Sequence, residues 1–311
     1  MVKSTFVYKN FNIKQRHKNS IILIGNFDGV HIGHRKLFDL ANKYKKKFKL
    51  NIGVLTFEPM PKMFFNKKIM NFRISNLDQK CQLLNKLSVD FIINKKFDKK
   101  FSKIKSLDFI KNIIYKKLNA KFVFVSNNFR YGNKRKGNVS QLINLENKYG
   151  YKIIKTEPKT IKKKVISSSL IRKLLQVGHL DIANKYLKRN WSILGKVEKG
   201  RQLGKKIGFP TCNLDIKEYV LAKPGVYAVN IKIRNSNLWI KGIANLGYRP
   251  TFHQKKLLLE VHLFNFSGNL YNKYLTVEFL KFIRKEKKFK NINQLRKQIN
   301  LDLKSAKKKL N

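Results

Sequence analysis

The loop Gly25–His34, Gly-Asn-Phe-Asp-Gly-Val-His-Ile-Gly-His, constrains this chain more than any other stretch. The segment before it, Ile21–Ile24, is a short apolar, mostly β-branched run, which predicts a buried strand. After the loop, apolar residues recur at helical spacing: Leu37, Leu40, Ala41 and Tyr44. The sequence therefore predicts a strand, a glycine-containing loop and a helix in direct succession.

Such a junction can bind an anion, because a helix N-terminus presents unpaired N–H groups and the positive end of its dipole. Glycines let the loop backbone turn and approach a ligand closely. His31 and His34 flank Gly33, so two imidazoles can point at one phosphate. The alternative is an ordinary turn with two surface histidines. The position at a strand-to-helix junction favours the phosphate site.

Strands and helices are predicted to alternate through the first half, which is typical of a parallel, doubly wound, Rossmann-like sheet. The further strands are expected at 50–57, 90–93, 122–125 and 151–156, and the helices at 77–87, 106–118, 139–149 and 168–187, with a break at Gly178. In such sheets ligands bind at the carboxyl ends of strands, where the Gly25–His34 loop lies.

From residue 188 the pattern changes to short apolar runs separated by Gly, Pro and Asn. These runs predict an antiparallel β-barrel with strands at 191–197, 225–234, 238–244, 257–264 and 274–282. A terminal helix over 292–310 is expected to pack on it. We therefore expect two domains, 1–187 and 188–311.

Three features of the second half suit chemistry: a glycine-rich loop, two residues with side-chain oxygens, and a glutamate on a strand. The loop around Gly200, Gly204 and Gly208 could approach phosphates, although it lacks the Walker A spacing. Thr211 and Asn213 offer oxygen atoms, which Mg²⁺ prefers. The alternative is a glycine-rich hairpin with polar caps, and by pattern alone Glu260 is a solvated residue on a strand face.

Three stretches of the first half together resemble the adenylyltransferase half of the bacterial bifunctional riboflavin kinase/FAD synthetase family. They are Gly25–His34, Ser126–Gly132 and Ile166–Arg172. The first also resembles the phosphate-binding signature of the nucleotidyltransferase superfamily. The resemblance implies that ATP contacts Gly25, Asn26, Asp28, His31, His34, Ser168 and Arg172, and that the flavin contacts Asn128, Phe129 and Arg130. In the second stretch, Asn128 stands where the family usually has aspartate. Without the family resemblance, the third stretch would be explained by a helix cap at Ser168 and a surface position for Arg172.

The second half resembles riboflavin kinases through Gly208-Phe-Pro-Thr-Cys-Asn213, and further matching stretches include Pro224–Val229, Ala244–Thr251, Leu259–Leu263 and Arg284–Phe289. The resemblance implies that Glu260 is the catalytic base, that Thr211 and Asn213 hold Mg²⁺, that Gly204 and Lys205 bind nucleotide, and that Arg284 and Phe289 line a flavin site. Lys205 stands where arginine is common, which keeps the charge and loses the planar fork.

The family implies that the barrel phosphorylates riboflavin with ATP to FMN, and that the first domain adenylylates FMN with ATP to FAD, releasing pyrophosphate. One rival is that only one half is active. A second rival is a nucleic-acid-binding protein, because 70 Lys and Arg against 17 Asp and Glu give a net charge of +53. The lysines are scattered through every predicted element, which favours compositional drift over a basic binding face, so no nucleic-acid partner is expected.

The remaining composition fits a cytoplasmic protein. Cys81 and Cys212 supply neither a disulfide framework nor a metal-binding spacing. No apolar stretch is long enough to span a membrane, and the N-terminus lacks a signal-peptide core. No membrane partner is expected, and the sequence leaves the oligomeric state open.

Overall fold

The computed structural model describes residues 5–200, 204, 207–216, 218–250 and 255–310. They form two compact units. The first contains the chain up to Ile69 together with Leu77–Ser167, and the second contains Met70–Asn76 together with the chain from Ser168 onward.

The first unit is built on a six-stranded sheet in which every pair of neighbours is parallel. Its strands are β1 (Phe6–Tyr8), β2 (Ile21–Ile24), β3 (Ile52–Glu58), β4 (Phe91–Lys96), β5 (Phe122–Ser126) and β6 (Lys152–Thr156). Their spatial order is β1-β4-β3-β2-β5-β6. The four residues of β2 are all buried, as an apolar run in the middle of a covered parallel sheet must be.

Helices accompany this sheet: α1 (Ile32–Phe48), α2 (Pro61–Phe65), α3 (Leu77–Asn85), α4 (Lys99–Ser102), α5 (Ser106–Asp108) running into a π-helix (Phe109–Lys117), α6 (Val139–Asn144) and α7 (Glu146–Tyr149). Two 3₁₀ turns (Gln15–His17, Asn133–Arg135) and a hairpin of β7 (Thr160–Ile161) and β8 (Lys164–Val165) complete the unit. Of the predicted apolar face of α1, Leu37 and Ala41 are buried, and Leu40 and Tyr44 are half-buried against the same core, which Phe38 also joins.

The strand order places the switch point of the sheet at β2. The chain runs outward from β2 through β3 to β4 and later returns to add β5 on the other side of β2. The loops that follow β2 and β5 therefore start at the carboxyl ends of adjacent strands, where open α/β sheets bind their ligands.

The second unit is a closed barrel of six antiparallel strands in the order β10-β13-β12-β11-β14-β9. The strands are β9 (Trp191–Glu198), β10 (Cys212–Asp215), β11 (Gly225–Ile233), β12 (Trp239–Pro250), β13 (Lys255–Leu263) and β14 (Tyr274–Arg284). Its helices are α8 (Ser168–Val177), α9 (Leu180–Leu187) and α10 (Ile292–Leu310).

Alternation along the strands separates the barrel interior from its outer face. On β13, Leu259 and Val261 are fully buried in the barrel core, so Glu260 between them points to the other side. Helix α10 covers part of that outer face, where Ala306 packs against Val226 of β11 and its neighbours. The predicted terminal helix and its packing on the barrel are confirmed.

A short segment from the first half of the chain, Met70–Asn76, completes the barrel unit. The indole nitrogen of Trp191 donates to the carbonyl oxygen of Ile74 at 2.9 Å. The backbone of Arg73 pairs with the chain near Tyr219, through Arg73 N to Glu218 O at 2.8 Å and Val220 N to Arg73 O at 2.7 Å. Trp191 is fully buried, so its N–H needs an acceptor from another segment, and Ile74 supplies it.

The predicted fold class is confirmed in both units, with four strands beyond those expected: the short hairpin strands β7 and β8, and β1 and β10. β1 is a three-residue edge strand with two exposed residues, and β10 was predicted only as part of a glycine-rich loop. The division at residue 188 stays a prediction. Over the described ranges, no helix combines the length and apolar character needed to cross a membrane.

Candidate active sites

The loop after β2 holds a strained backbone. Phe27 has φ of 47° and Val30 has φ of 41°, in the left-handed region that β-branched and bulky residues rarely enter. Both side chains are buried, so packing holds the backbone in this form. Strain of this kind concentrates at ligand-binding sites, where it fixes a geometry before the ligand arrives.

His31 and His34 lie together at the start of α1. His31 occupies the N-cap position and is buried, and His34 lies in the first turn. Their rings stack with centroids 3.7 Å apart and planes 22° apart. The predicted pair of imidazoles at a helix N-terminus is therefore brought together on one side of the loop.

Gly33 between the two histidines allows a close approach. A Cβ built at Gly33 would lie 2.9 Å from the carbonyl oxygen of Ile166 and 3.1 Å from the ring of His31. Real Cβ atoms do not come this close to a backbone oxygen, so a side chain here would push the histidine loop away from Ile166. Asp28, also predicted for this site, is 3% exposed. Gly25 and Asn26 form the start of the same loop, next to β2.

The loop after β5 carries the predicted flavin residues of the first unit. Asn128 accepts a hydrogen bond from the hydroxyl of Ser126 at 3.0 Å, and Phe129 stacks on Tyr131 with ring centroids 5.6 Å apart. Phe129 is half-buried against the apolar core, while the side chains of Asn128 and Arg130 are exposed. An amide thus occupies the position of the family's aspartate and makes a local contact within the loop.

One residue near the first site carried no sequence signal. Lys80 of α3 is 3% exposed, and its ammonium donates to the hydroxyl of Thr56 at 3.0 Å. That hydroxyl in turn donates to the backbone oxygen of Asn26 at 3.4 Å. A buried lysine is rare. Lys80 links α3 to Thr56 of β3 and, through the Thr56 hydroxyl, to the backbone of the Gly25–His34 loop. Its sequence neighbours only identify an amphipathic helix.

The other two predicted nucleotide contacts, Ser168 and Arg172, belong to the second unit. Ser168 begins α8. The Nε of Arg172 donates to the carbonyl oxygen of Phe72 at 2.7 Å, and its guanidinium lies 3.7 Å from the centroid of the Phe72 ring. In the described residues Arg172 thus binds the Met70–Asn76 segment, and its contact with phosphate stays a prediction.

The second unit contains a cavity of about 400 Å³ on the outer face of the barrel, beside α10. Six predicted site residues line it: Gly204, Thr211, Asn213, Glu260, Arg284 and Phe289. These residues come from four separate stretches of sequence, and the fold brings them around one volume. Lys205, predicted beside Gly204, lies outside the described residues.

Three polar residues on adjacent strands form a row along the wall of this cavity. Asn213 of β10 is the register partner of Glu260 of β13, which is in turn the partner of Asn245 of β12. Cross-strand partners share a face, so all three side chains project to the same side. Asn245 was not predicted as a site residue, because its place beside Glu260 depends on how β12 pairs with β13 in the folded barrel.

Asn213 offers a cation ligand. Its side chain is 7% exposed, and its buried Oδ1 has no hydrogen-bond donor among the described residues. Such an oxygen needs a partner, and a divalent cation is one that fits. Thr211, exposed two residues earlier, adds a hydroxyl to the same cavity. Gly200 packs directly on the Asn213 amide, where a Cβ would collide with Nδ2. The donor set therefore fits Mg²⁺, and Asn213 acts from β10 and not from the loop that the sequence predicted.

Arg284 at the end of β14 is fixed by a carboxylate that the sequence did not reveal. Asp302 of α10 accepts from Arg284 Nε at 2.8 and 3.0 Å and from Nη2 at 2.7 Å. The Arg284 guanidinium lies 5.9 Å from the centroid of the Phe289 ring. The charge and ring predicted for the flavin site therefore lie side by side at the cavity wall.

Glu286 is a second carboxylate near Glu260. Partial burial, together with the charge of Glu260, raises the pKa of Glu286, and the nearby Arg284 opposes this shift. The Glu286 carboxylate lies against the backbone of Gly247 on β12. In a chain with only 17 acidic residues, three of them, Glu260, Glu286 and Asp302, line this one cavity.

The two folds and their two sites define an ATP-dependent transferase with a nucleotidyltransferase unit and a barrel kinase unit. Residues 13–170 match the FAD synthetase family, and residues 187–310 match the riboflavin kinase family. The chain belongs to the family of bifunctional riboflavin kinase/FMN adenylyltransferases, as the sequence resemblance predicted.

Curated relatives with that same description align with this chain over nearly their whole length. The protein of Buchnera aphidicola subsp. Schizaphis graminum is 39% identical over 96% of this chain and 97% of its own. The protein of Escherichia coli (strain K12) is 34% identical over 94% of this chain and 93% of its own. A crystal structure from Streptococcus pneumoniae, described as a macrolide-efflux protein, superposes with a TM-score of 0.85 at 28% identity, covering 98% of this chain and 99% of that one. That match supports the fold.

Proposed function

We propose that the barrel unit converts riboflavin and ATP to FMN and ADP, and that the Gly25–His34 loop serves the conversion of FMN and ATP to FAD and pyrophosphate. The observation that carries the kinase part of this proposal is the cavity of the second unit, around which the predicted kinase residues lie. It gathers a carboxylate, a buried amide oxygen with no donor among the described residues, and an arginine beside an aromatic ring, which suit a base, a cation ligand and a flavin contact.

In the kinase reaction Glu260 accepts the proton of the primary hydroxyl of riboflavin as the oxygen attacks the γ-phosphorus of ATP. A hydroxyl is a weak nucleophile, and a positioned carboxylate makes its attack easier. Asn213 and Thr211 hold the cation that travels with ATP. Mg²⁺, when bound, neutralises the developing charge on the phosphate oxygens. Arg284 and Phe289 hold the ring system of the flavin.

In the adenylylation reaction a phosphate oxygen of FMN attacks the α-phosphorus of ATP, and pyrophosphate leaves. No covalent enzyme intermediate is needed, so the protein works by positioning and charge stabilisation. The N-terminus of α1, His31 and His34 stabilise the phosphates of ATP. Phe129 and Arg130 hold the flavin of FMN, and Ser168 and Arg172 add phosphate contacts.

We further propose that the enzyme works in the cytoplasm, where both of its free cysteines, Cys81 and Cys212, remain reduced. Its partners are then small molecules: riboflavin, FMN and ATP. The absence of a nucleic-acid partner stays a prediction. The net charge of +53 by itself predicts salt-sensitive binding, which a titration with RNA at physiological salt measures.

The test is a product analysis with the purified full chain, riboflavin and excess Mg-ATP, in which flavins are separated by chromatography. We expect FMN to appear first and FAD to accumulate. FMN alone would remove the proposed role of the His31 and His34 loop. Conversion of supplied FMN, but not of riboflavin, would remove the proposed role of Glu260. No conversion of either flavin would overturn the proposed function.

A further inference from the structure

Asp302 is a buried acid in the middle of α10, the helix that covers the outer face of the barrel. Asp302 is 2% exposed, and its carboxylate oxygens accept hydrogen bonds from two side chains. One is Arg284, and the other is Gln298, whose Nε2 donates to Asp302 Oδ1 at 3.0 Å. A buried carboxylate is stable only when it is paired and hydrogen-bonded in this way.

The pairing uses one edge of the guanidinium. The Nε and Nη2 of Arg284 donate hydrogen bonds to Asp302, while its Nη1 donates to the carbonyl oxygen of Lys285 at 2.9 Å. A guanidinium has five N–H groups, so two remain, one on each Nη. Within the described residues neither of these two has a protein acceptor. The side chain is therefore fixed in plane and still holds donors for a ligand at the cavity wall.

A free arginine side chain would not hold this position. Its long stem has many rotamers, and a single hydrogen bond leaves the plane of the guanidinium unspecified. The fork of Nε and Nη2 on one carboxylate fixes both the position and the plane, which is the geometry that distinguishes arginine from lysine. The fixed plane places the charge 5.9 Å from the centroid of the Phe289 ring.

We propose that Asp302 is a positioning residue of the flavin site of the kinase, acting through Arg284. Asp302 does not touch the substrate. It orients the guanidinium so that its two remaining N–H groups meet acceptor oxygens or nitrogens of the flavin beside Phe289. The C-terminal helix is thereby part of the kinase site. This inference rests on the proposed kinase function and assigns to that site a residue outside its sequence motifs.

Asp302→Asn in the full chain tests the proposal, because it keeps the shape and removes the charge and one acceptor. We expect the KM for riboflavin to rise about tenfold or more, since small displacements of a binding group cost factors of this size. The KM for ATP and the rate of FMN adenylylation should change less than about twofold. Asp302→Glu keeps the carboxylate and should restore part of the riboflavin affinity.

A double-variant cycle shows whether Asp302 acts through Arg284. Arg284→Lys keeps the charge and loses the fork, so it should resemble Asp302→Asn. The combination of the two should be no worse than the worse single variant within about twofold, because they remove the same contact. Asp181→Asn is the matched control. Asp181 forms an exposed ion pair with Lys281 at 2.9 Å, apart from this cavity, and its loss should leave both activities unchanged.

Each outcome bears on one proposal. If folded Asp302→Asn keeps its KM for riboflavin, or if its effect adds fully to that of Arg284→Lys, the positioning role is wrong. If Asp302→Asn does not fold, Arg284→Lys decides, and an unchanged KM for riboflavin in that variant contradicts the proposal, because Asp302 acts only through the fork of Arg284. A wild-type chain that makes no FMN would instead overturn the kinase function itself.

Discussion

Glu260 on β13 and Asn213 on β10 are register partners across two antiparallel strands, so a carboxylate and a buried amide oxygen share one cavity wall. The proposed base and the proposed cation ligand therefore sit on rigid strands, and their separation is set by the sheet. Sites built on strands are held more tightly than sites built on loops.

Glu260→Gln keeps the shape of the side chain and removes its capacity to accept a proton. We expect the rate of FMN formation to fall about 100-fold or more, the range found for general bases. FAD formation from supplied FMN should not change. The two rates are measured on the same preparation, so the second serves as the folding control. Equal loss of both rates would point to misfolding, and retention of both would exclude Glu260 as the base.

Asn213→Ala removes the proposed amide ligand. The Mg²⁺ concentration for half-maximal kinase rate should rise about tenfold, as happens when groups around a metal site are lost. The Mg²⁺ dependence of adenylylation should stay as in the wild type. Asn230→Ala on strand β11 of the same barrel is a matched control, because Asn230 lines a different surface depression. An unchanged Mg²⁺ dependence in a folded Asn213→Ala protein would contradict the assignment.

Gly33→Ala tests the close packing of the histidine loop. The new methyl group would lie 2.9 Å from the carbonyl oxygen of Ile166, so the loop must move. We expect FAD formation from FMN to fall about 100-fold, because a misplacement of about 1 Å has effects of this size. FMN formation should persist. Gly150→Ala, where a Cβ meets no atom within 4 Å, should leave adenylylation intact at a small cost in stability from its φ of 68°.

Glu286 makes stability depend on pH in a defined direction. Its pKa is raised in the folded protein, so the folded state binds the proton more tightly than the unfolded state. Stability from this group is therefore present below the unfolded pKa and falls as pH rises through the folded pKa. Glu286→Gln should raise the Tm at pH 7.5 relative to the wild type, and the gain should shrink at pH 4. A gain that is equal at both pH values would contradict this cause.

The local elements of the fold were predictable because their causes are local. The run Ile21–Ile24, the glycine loop after it and the apolar stripe of α1 each carry their own pattern. The barrel strands likewise alternate, and the structure confirms them. The short strand β10 has four residues after a glycine-rich stretch, too few for a periodicity to show, so the strand that carries Asn213 was predicted as loop.

The remaining features depend on contacts between distant segments. Nothing in Met70–Asn76 predicts that Ile74 accepts from the indole of Trp191. In the sequence Asp302 is one polar position of an amphipathic helix, and its meaning appears only when Arg284, 18 residues earlier, reaches it. Arg284 was placed by the family resemblance, whereas its partner required the fold.

The measurement that tests the central claim most directly is complementation between two variants, Glu260→Gln and His34→Ala. Each full-length variant is supplied with riboflavin and Mg-ATP, alone and mixed. The account predicts that Glu260→Gln alone leaves riboflavin unchanged, that His34→Ala alone stops at FMN, and that the mixture forms FAD. Two independent sites require this result, because FMN released by one chain is substrate for the other. A mixture that stops at FMN, with adenylylation of supplied FMN intact in Glu260→Gln, would contradict the claim.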